Sequence, residues 1–122
     1  MAMDPTDELR KRTKAFALRI IKVCQSLPGI PTARVITNQL LRSGTAVGAN
    51  YRSACRARSK PDFVSKMGIA LEEADETVYW LELLIEAGIV RERRLQKLVQ
   101  EAEEIVAILA ASRITASHHL EH

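Results

Sequence analysis

Apolar residues recur along this chain at intervals of three and four in four separate stretches, the spacing that lines one face of an α-helix. In the first, Leu9, Phe16, Ile20, Val23 and Leu27 are in phase, and Asp7 and Glu8 suit the positive end of a helix dipole. These predict a helix over residues 6–26, broken by Pro28, Gly29, Ile30 and Pro31. A second helix follows over 32–57, with Thr32 as its cap and Ile36, Leu40, Val47, Tyr51 and Ala54 as its inward stripe. Gly44 and Gly48 interrupt it one turn apart, each costing about 1 kcal/mol relative to alanine. Such a pair implies either close approach of another backbone or a bend.

The third stretch has the clearest start. Ser59 can cap a helix, Pro61 fits its first turn, and Asp62 completes a capping box. The helix is predicted over 60–87, with Gly88 ending it and Phe63, Met67, Ala70, Ala74, Val78, Leu81 and Ile85 forming its seam. A fourth, over 91–112, repeats the pattern with Leu95, Leu98, Ala102, Ile105 and Leu109. Connections this short between long helices imply antiparallel neighbours. The expected fold is all-α: one antiparallel, up-down four-helix bundle over residues 1–117, followed by a tail at 118–122.

On the third helix, a second apolar group made of Ile69, Trp80 and Leu83 lies away from the seam, and Leu18 and Ile21 are similarly out of phase on the first. One bundle core needs one stripe per helix. The extra residues imply either a wide core stripe or a surface for a second copy of the chain, giving a homo-oligomer.

Composition narrows the function without naming it. Aliphatic residues and alanine dominate an apolar content of 47%, with only five aromatics, which favours helix over sheet. No apolar run reaches the roughly 18 residues of a membrane span, and the polar start carries no signal-peptide core, so a cytoplasmic protein is expected. Cys24 and Cys55 fit no paired-cysteine motif and are expected as reduced, packed thiols. The three histidines, His118, His119 and His122, all lie in the tail, where Leu120, Glu121 and His122 resemble a vector-encoded remnant.

That placement of histidine bears on chemistry. A serine or cysteine nucleophile needs a base, and a di-metal bundle site needs Glu-x-x-His motifs. Neither can be assembled, so no enzyme, metal or cofactor is expected. Charge is more informative. Residues 1–66 hold 13 Lys/Arg against 4 Asp/Glu, and residues 67–122 hold 5 against 11. Either the basic half faces an anionic partner, or basic helices pair with acidic ones inside the fold.

The segment GANYRSACRARSKPDFVSKMGIALEEADETVYWLELL, residues 48–84, closely resembles the four-helix-bundle family of 23S rRNA intervening-sequence proteins, relatives of the accessory variability determinant of diversity-generating retroelements. The resemblance rests on Gly48-Ala49-Asn50-Tyr51-Arg52, Ser59, Asp62-Phe63, Ile69-Ala70-Leu71, Glu73-Ala74, Glu76-Thr77 and Tyr79-Trp80-Leu81. Ser53 departs from it, since the family often has an acid at that position. The resemblance implies an up-down bundle, assembly into rings of five, no enzymatic activity and, by analogy with the retroelement relatives, a basic surface for nucleic acid.

The candidate site residues follow. Arg34, Arg52 and Arg56 project from one side of the second helix, with Arg42 somewhat around it and Arg58 and Lys60 in the following turn. These six suit successive phosphates of RNA or DNA. The rival expectation is a scaffold whose arginines form ion pairs and whose partner is another, unidentified protein. Glu73 and Glu76 are expected to pair with Arg52 or Arg56. Asn50 and Tyr51 are expected to make a buried hydrogen bond that fixes helix register.

Overall fold

The computed structural model describes the backbone of residues 4–121 and the side chains of residues 4–119. His122 lies outside the described residues, as do the side chains of Leu120 and Glu121. Four helices make up the fold: α1 (Pro5–Ser26), α2 (Pro31–Cys55), α3 (Lys60–Glu86) and α4 (Glu92–Glu121). No strand occurs among the described residues.

Local chemistry sets the helix ends. The Asp4 carboxylate accepts the Thr6 N–H at 2.7 Å and caps α1. α2 begins one residue before the expected boundary. Pro31 is its first residue, and Ile30 occupies the cap position without a side-chain acceptor. A proline there has no N–H to satisfy, which lessens the need for a capping oxygen. Ser59 Oγ accepts the Asp62 N–H at 3.2 Å, as the capping box requires. The return bond reaches one residue further out, with the Arg58 N–H donating to Asp62 at 3.4 Å. At the end of α3, Gly88 has φ +73, and the Gly88 and Ile89 N–H groups donate to Ile85 and Leu84, each at 3.0 Å. That is a Schellman stop, which needs the glycine.

α4 runs on to Glu121, where the apolar stripe had suggested an end at residue 112. No Gly or Pro interrupts residues 113–121. Arg113 also ties the extension to α3 by donating to the Val64 carbonyl at 3.3 Å.

The core gathers Phe16 and Ile20 of α1, Leu40 and Val47 of α2, Met67 and Leu81 of α3, and Leu95, Ile105 and Leu109 of α4, all fully buried. α2 packs on both α1 and α3, α3 packs on α4, and α4 closes on α1 with the fewest contacts. The buried polar pair between helices is Ser43 with Thr77, whose hydroxyls share a 3.0 Å bond. Asn50, expected in that role, instead donates to Ala46 of its own helix at 2.8 Å. A bond closed within one turn cannot set the register of two helices.

Candidate nucleic-acid interface

α1 packs against two glycines of α2, Gly44 and Gly48. A Cβ on Gly44 would come within 2.7 Å of Ile20, and one on Gly48 would stand 3.3 Å from the Thr13 hydroxyl. The pair therefore serves close packing. On the solvent side of this seam runs an open groove of about 550 Å³, floored by Ala17, Thr45, Gly48 and Ala49. Its walls are basic: Arg10, Lys11 and Lys14 come from α1, Arg52 from the last turn of α2, and Arg56 from its C-terminal cap position.

Helix periodicity explains the convergence. Residues 10, 14 and 17 follow one face of α1, and residues 45, 49, 52 and 56 follow one face of α2. Both faces turn toward the groove. Among the described residues Asp7 is the one acid in the lining, and it pairs with Arg10. Among the described residues, Lys11, Lys14, Arg52 and Arg56 form no ion pair. Four exposed cations thus face one another across a floor of small residues. Such a lining offers positive charge and N–H donors to a polyanion.

Two of the six expected cations are brought here, Arg52 and Arg56. Arg34 sits at the other end of α2 and donates to the Gly29 carbonyl at 2.9 Å. Arg42 turns toward α3, where it holds Glu73 at 2.8 Å and also pairs with Glu76. This corrects the expected partners of those glutamates. Arg52 lies ten residues further along α2, about 15 Å away, and on the side facing α1. Arg58 is exposed in the α2–α3 connection and Lys60 is exposed as the first residue of α3, at a separate cleft lined by Phe63, Ser112 and Thr115. Arg10, Lys11 and Lys14 were missed. Their signal was the shared α1 face ending in the small residue Ala17.

Titratable groups elsewhere are tuned by the same contacts. The Arg42 guanidinium, then the Trp80 N–H, lowers the Glu76 carboxyl below its ordinary 4.5. Arg12 of α1 grips Glu101 of α4 through two bonds of 2.8 and 2.7 Å and also pairs with Glu104, which lowers Glu101. Burial, then the neighbouring Cys55 thiol, pushes Tyr51 up to about 12. Burial also raises the Cys24 thiol, which disfavours a thiolate. Among the described residues, no group of three or more His, Cys, Asp or Glu side chains is placed to hold a metal ion. No described helix is long and apolar enough to cross a membrane.

The five residues expected at a subunit interface divide. Leu18 is 61% exposed and Ile69 43%. Ile21, Trp80 and Leu83 are half-buried. Trp80 packs against the core, donates its indole N–H to Glu76 at 3.1 Å, and meets the exposed Tyr79 edge-on at 5.0 Å. Val35, Leu41 and Ile114 are exposed as well.

Residues 7–111 match the 23S rRNA-intervening sequence protein family. A crystal structure of a protein of unknown function from the S23 ribosomal protein family of Bacteroides thetaiotaomicron is similar, with a TM-score of 0.82 and 36% identity. The similarity covers 88% of this chain and 96% of that one. No curated protein matches the sequence.

Proposed function

The chain belongs to the 23S rRNA-intervening sequence protein family, and from that starting point we propose that it is a non-enzymatic, cytoplasmic bundle that binds the backbone of RNA or DNA. The observation that carries this reading is the α1–α2 groove, where Lys11, Lys14, Arg52 and Arg56 lie unpaired among the described residues on two facing walls. Phosphate neutralisation by lysine and arginine supplies most sequence-independent affinity for nucleic acid. In this reading the helices run up and down, and copies assemble into a homo-oligomeric ring of five. Exposed Leu18 and Ile69 support such self-association.

A second reading has its own support. Arg12 and Arg42 are committed to glutamates of α4 and α3, as a protein scaffold would use them, and its partner would be another protein. Both lie outside the lining of the groove, so they do not compete with the first reading.

The test is binding of generic RNA and duplex DNA at two salt concentrations, for the wild type and an Arg52→Ala/Arg56→Ala double mutant. Binding that weakens with salt and weakens further in the mutant supports phosphate contact. Absence of binding at low salt would remove nucleic acid and leave the scaffold.

A further inference from the structure

We infer that the α1–α2 groove takes one strand of nucleic acid rather than a duplex, holding phosphates from both walls and leaving the bases unread. The inference rests on the nucleic-acid reading above and names its substrate.

Shape is the first argument. Packed helices normally stand 8–10 Å apart, axis to axis. Here Gly44 and Gly48 leave no room for even a Cβ without displacing Ile20 or pressing on Thr13. The valley above that seam therefore has the width of a close helix pair. A duplex, whose major groove alone is about 12 Å wide, rests on the rims of such a valley. A single backbone can descend to the floor of Ala17, Thr45 and Ala49.

Charge is the second. Lys11 and Lys14 stand on the α1 wall, with Arg52 and Arg56 on the α2 side. A strand lying between them meets cations on both flanks, and a convex duplex meets mainly one wall at a time. Arg52 and Arg56 are four residues apart, about 6 Å along the axis at helical rise, a step that successive phosphates of one strand can follow. The Asp7–Arg10 pair nearly cancels charge at one edge and leaves the other four cations to define the path.

The lining also lacks a platform on which bases could stack. Among the described residues it contains no aromatic ring, so they do not supply the stacking worth about 1–3 kcal/mol per base in other single-strand grooves. The Thr45 hydroxyl, the one neutral polar side chain of the lining among the described residues, donates to the Leu41 carbonyl of its own helix at 2.7 Å. With its lysines and arginines engaged by phosphates, the groove holds the backbone, and different base sequences should bind alike.

Fluorescence anisotropy tests this with labelled oligonucleotides of about 12 nucleotides, within the span such grooves cover. Homopolymeric and mixed single strands are compared with the matching duplex. The single strands should bind at least about tenfold more tightly than the duplex and within about threefold of one another. Four phosphates at ~0.7 counterions each predict an affinity loss of about fiftyfold between 50 and 200 mM salt.

Two variants locate the site. Ala49→Leu fills the floor at an exposed position without changing charge, so it should weaken single-strand binding and leave duplex binding unchanged. Lys14→Gln removes a wall cation and should weaken single-strand binding even if the leucine variant folds poorly. Equal or tighter duplex binding, strong dependence on base sequence, or strand binding untouched by Lys14→Gln would overturn the inference while nucleic-acid binding itself stands. Failure to bind either form would overturn the functional reading, and this inference with it.

Discussion

Gly44 of α2 lies so close to Ile20 of α1 that an added Cβ would stand 2.7 Å from the isoleucine Cγ2 and 3.1 Å from its Cβ. Alanine at this position would gain about 1 kcal/mol of helix propensity but incur an overpacking cost of about 1–3 kcal/mol. Ile20 is fully buried and cannot swing aside. Gly44→Ala should therefore destabilise the protein by about 1 kcal/mol and lower its melting temperature by several degrees.

Gly68→Ala is the contrasting case. Its Cβ would meet the Arg113 Nε at 2.9 Å, but Arg113 is an exposed, flexible side chain. Moving it gives up the exposed Arg113–Val64 bond, which offsets most of the propensity gain of about 1 kcal/mol, so the alanine should leave stability within about 0.5 kcal/mol of the wild type. Thermal melts of both variants check the argument. A comparable fall in both would show that close approach at Gly44 is not what fixes that glycine.

The acid limb of stability should depend on Arg12. Its guanidinium holds the Glu101 carboxyl below the ordinary 4.5, so in the pH range between the two values the unfolded chain binds the proton more readily. This stabilisation is complete above the unfolded pKa and is lost as pH falls through the lowered one. Melting temperature should hold from neutrality to about pH 5.5 and then decline. Arg12→Gln should flatten the part of the decline due to this pair. Arg12 is about a third exposed, so solvent screening limits its coupling to Glu101 to about 1 kcal/mol in a double-mutant cycle. α1 and α4 share the sparsest packing in the fold, which gives this tie more weight than most surface pairs.

The α4 stripe shows what local pattern can reveal. Leu95, Leu98, Ala102, Ile105 and Leu109 were marked by spacing, and all are buried. Ser59 and Gly88 likewise act as the cap and the stop that their residue types imply. Thr77 was not legible, because a threonine is admitted to a core only where a partner such as Ser43 meets it, and that partner lies 34 positions away. The arginines of α2 were ambiguous for the same reason. Periodicity put Arg42 only somewhat around the helix from Arg52, yet the helices packed on either side send one toward Glu73 and the other toward the α1 groove. A groove built from Lys14 and Arg52 exists only once two distant segments are packed together.

That division yields a separable pair of phenotypes. Lys14→Glu/Arg52→Glu should abolish most polyanion binding while leaving the melting temperature nearly unchanged, since neither residue makes an ion pair among the described residues. Each lost phosphate contact should reduce the salt slope by about 0.7 for a single strand. Arg42→Ala should do the reverse, lowering stability slightly by leaving Glu73 and Glu76 unpaired and sparing affinity. Parallel titrations and melts distinguish the two. Equal loss of affinity in the Arg42 variant would place the binding face on the α2–α3 side.

Self-association is best tested at residues that the subunit does not need for its own core. Trp80→Glu is a poor choice, because Trp80 packs on the core and bonds to Glu76, so the variant would perturb the fold along with any interface. Leu18 and Ile69 are substantially exposed, and glutamate at either should leave the monomer folded. If copies assemble through these faces, a buried, unpaired carboxylate at the interface should drive the mass from light scattering toward the 13.6 kDa of one chain. Helical circular dichroism and melting of the dissociated chain would confirm that the bundle survives. An undiminished assembly mass in the Leu18→Glu/Ile69→Glu double variant would move the interface elsewhere, with exposed Val35 and Tyr79 the next residues to change.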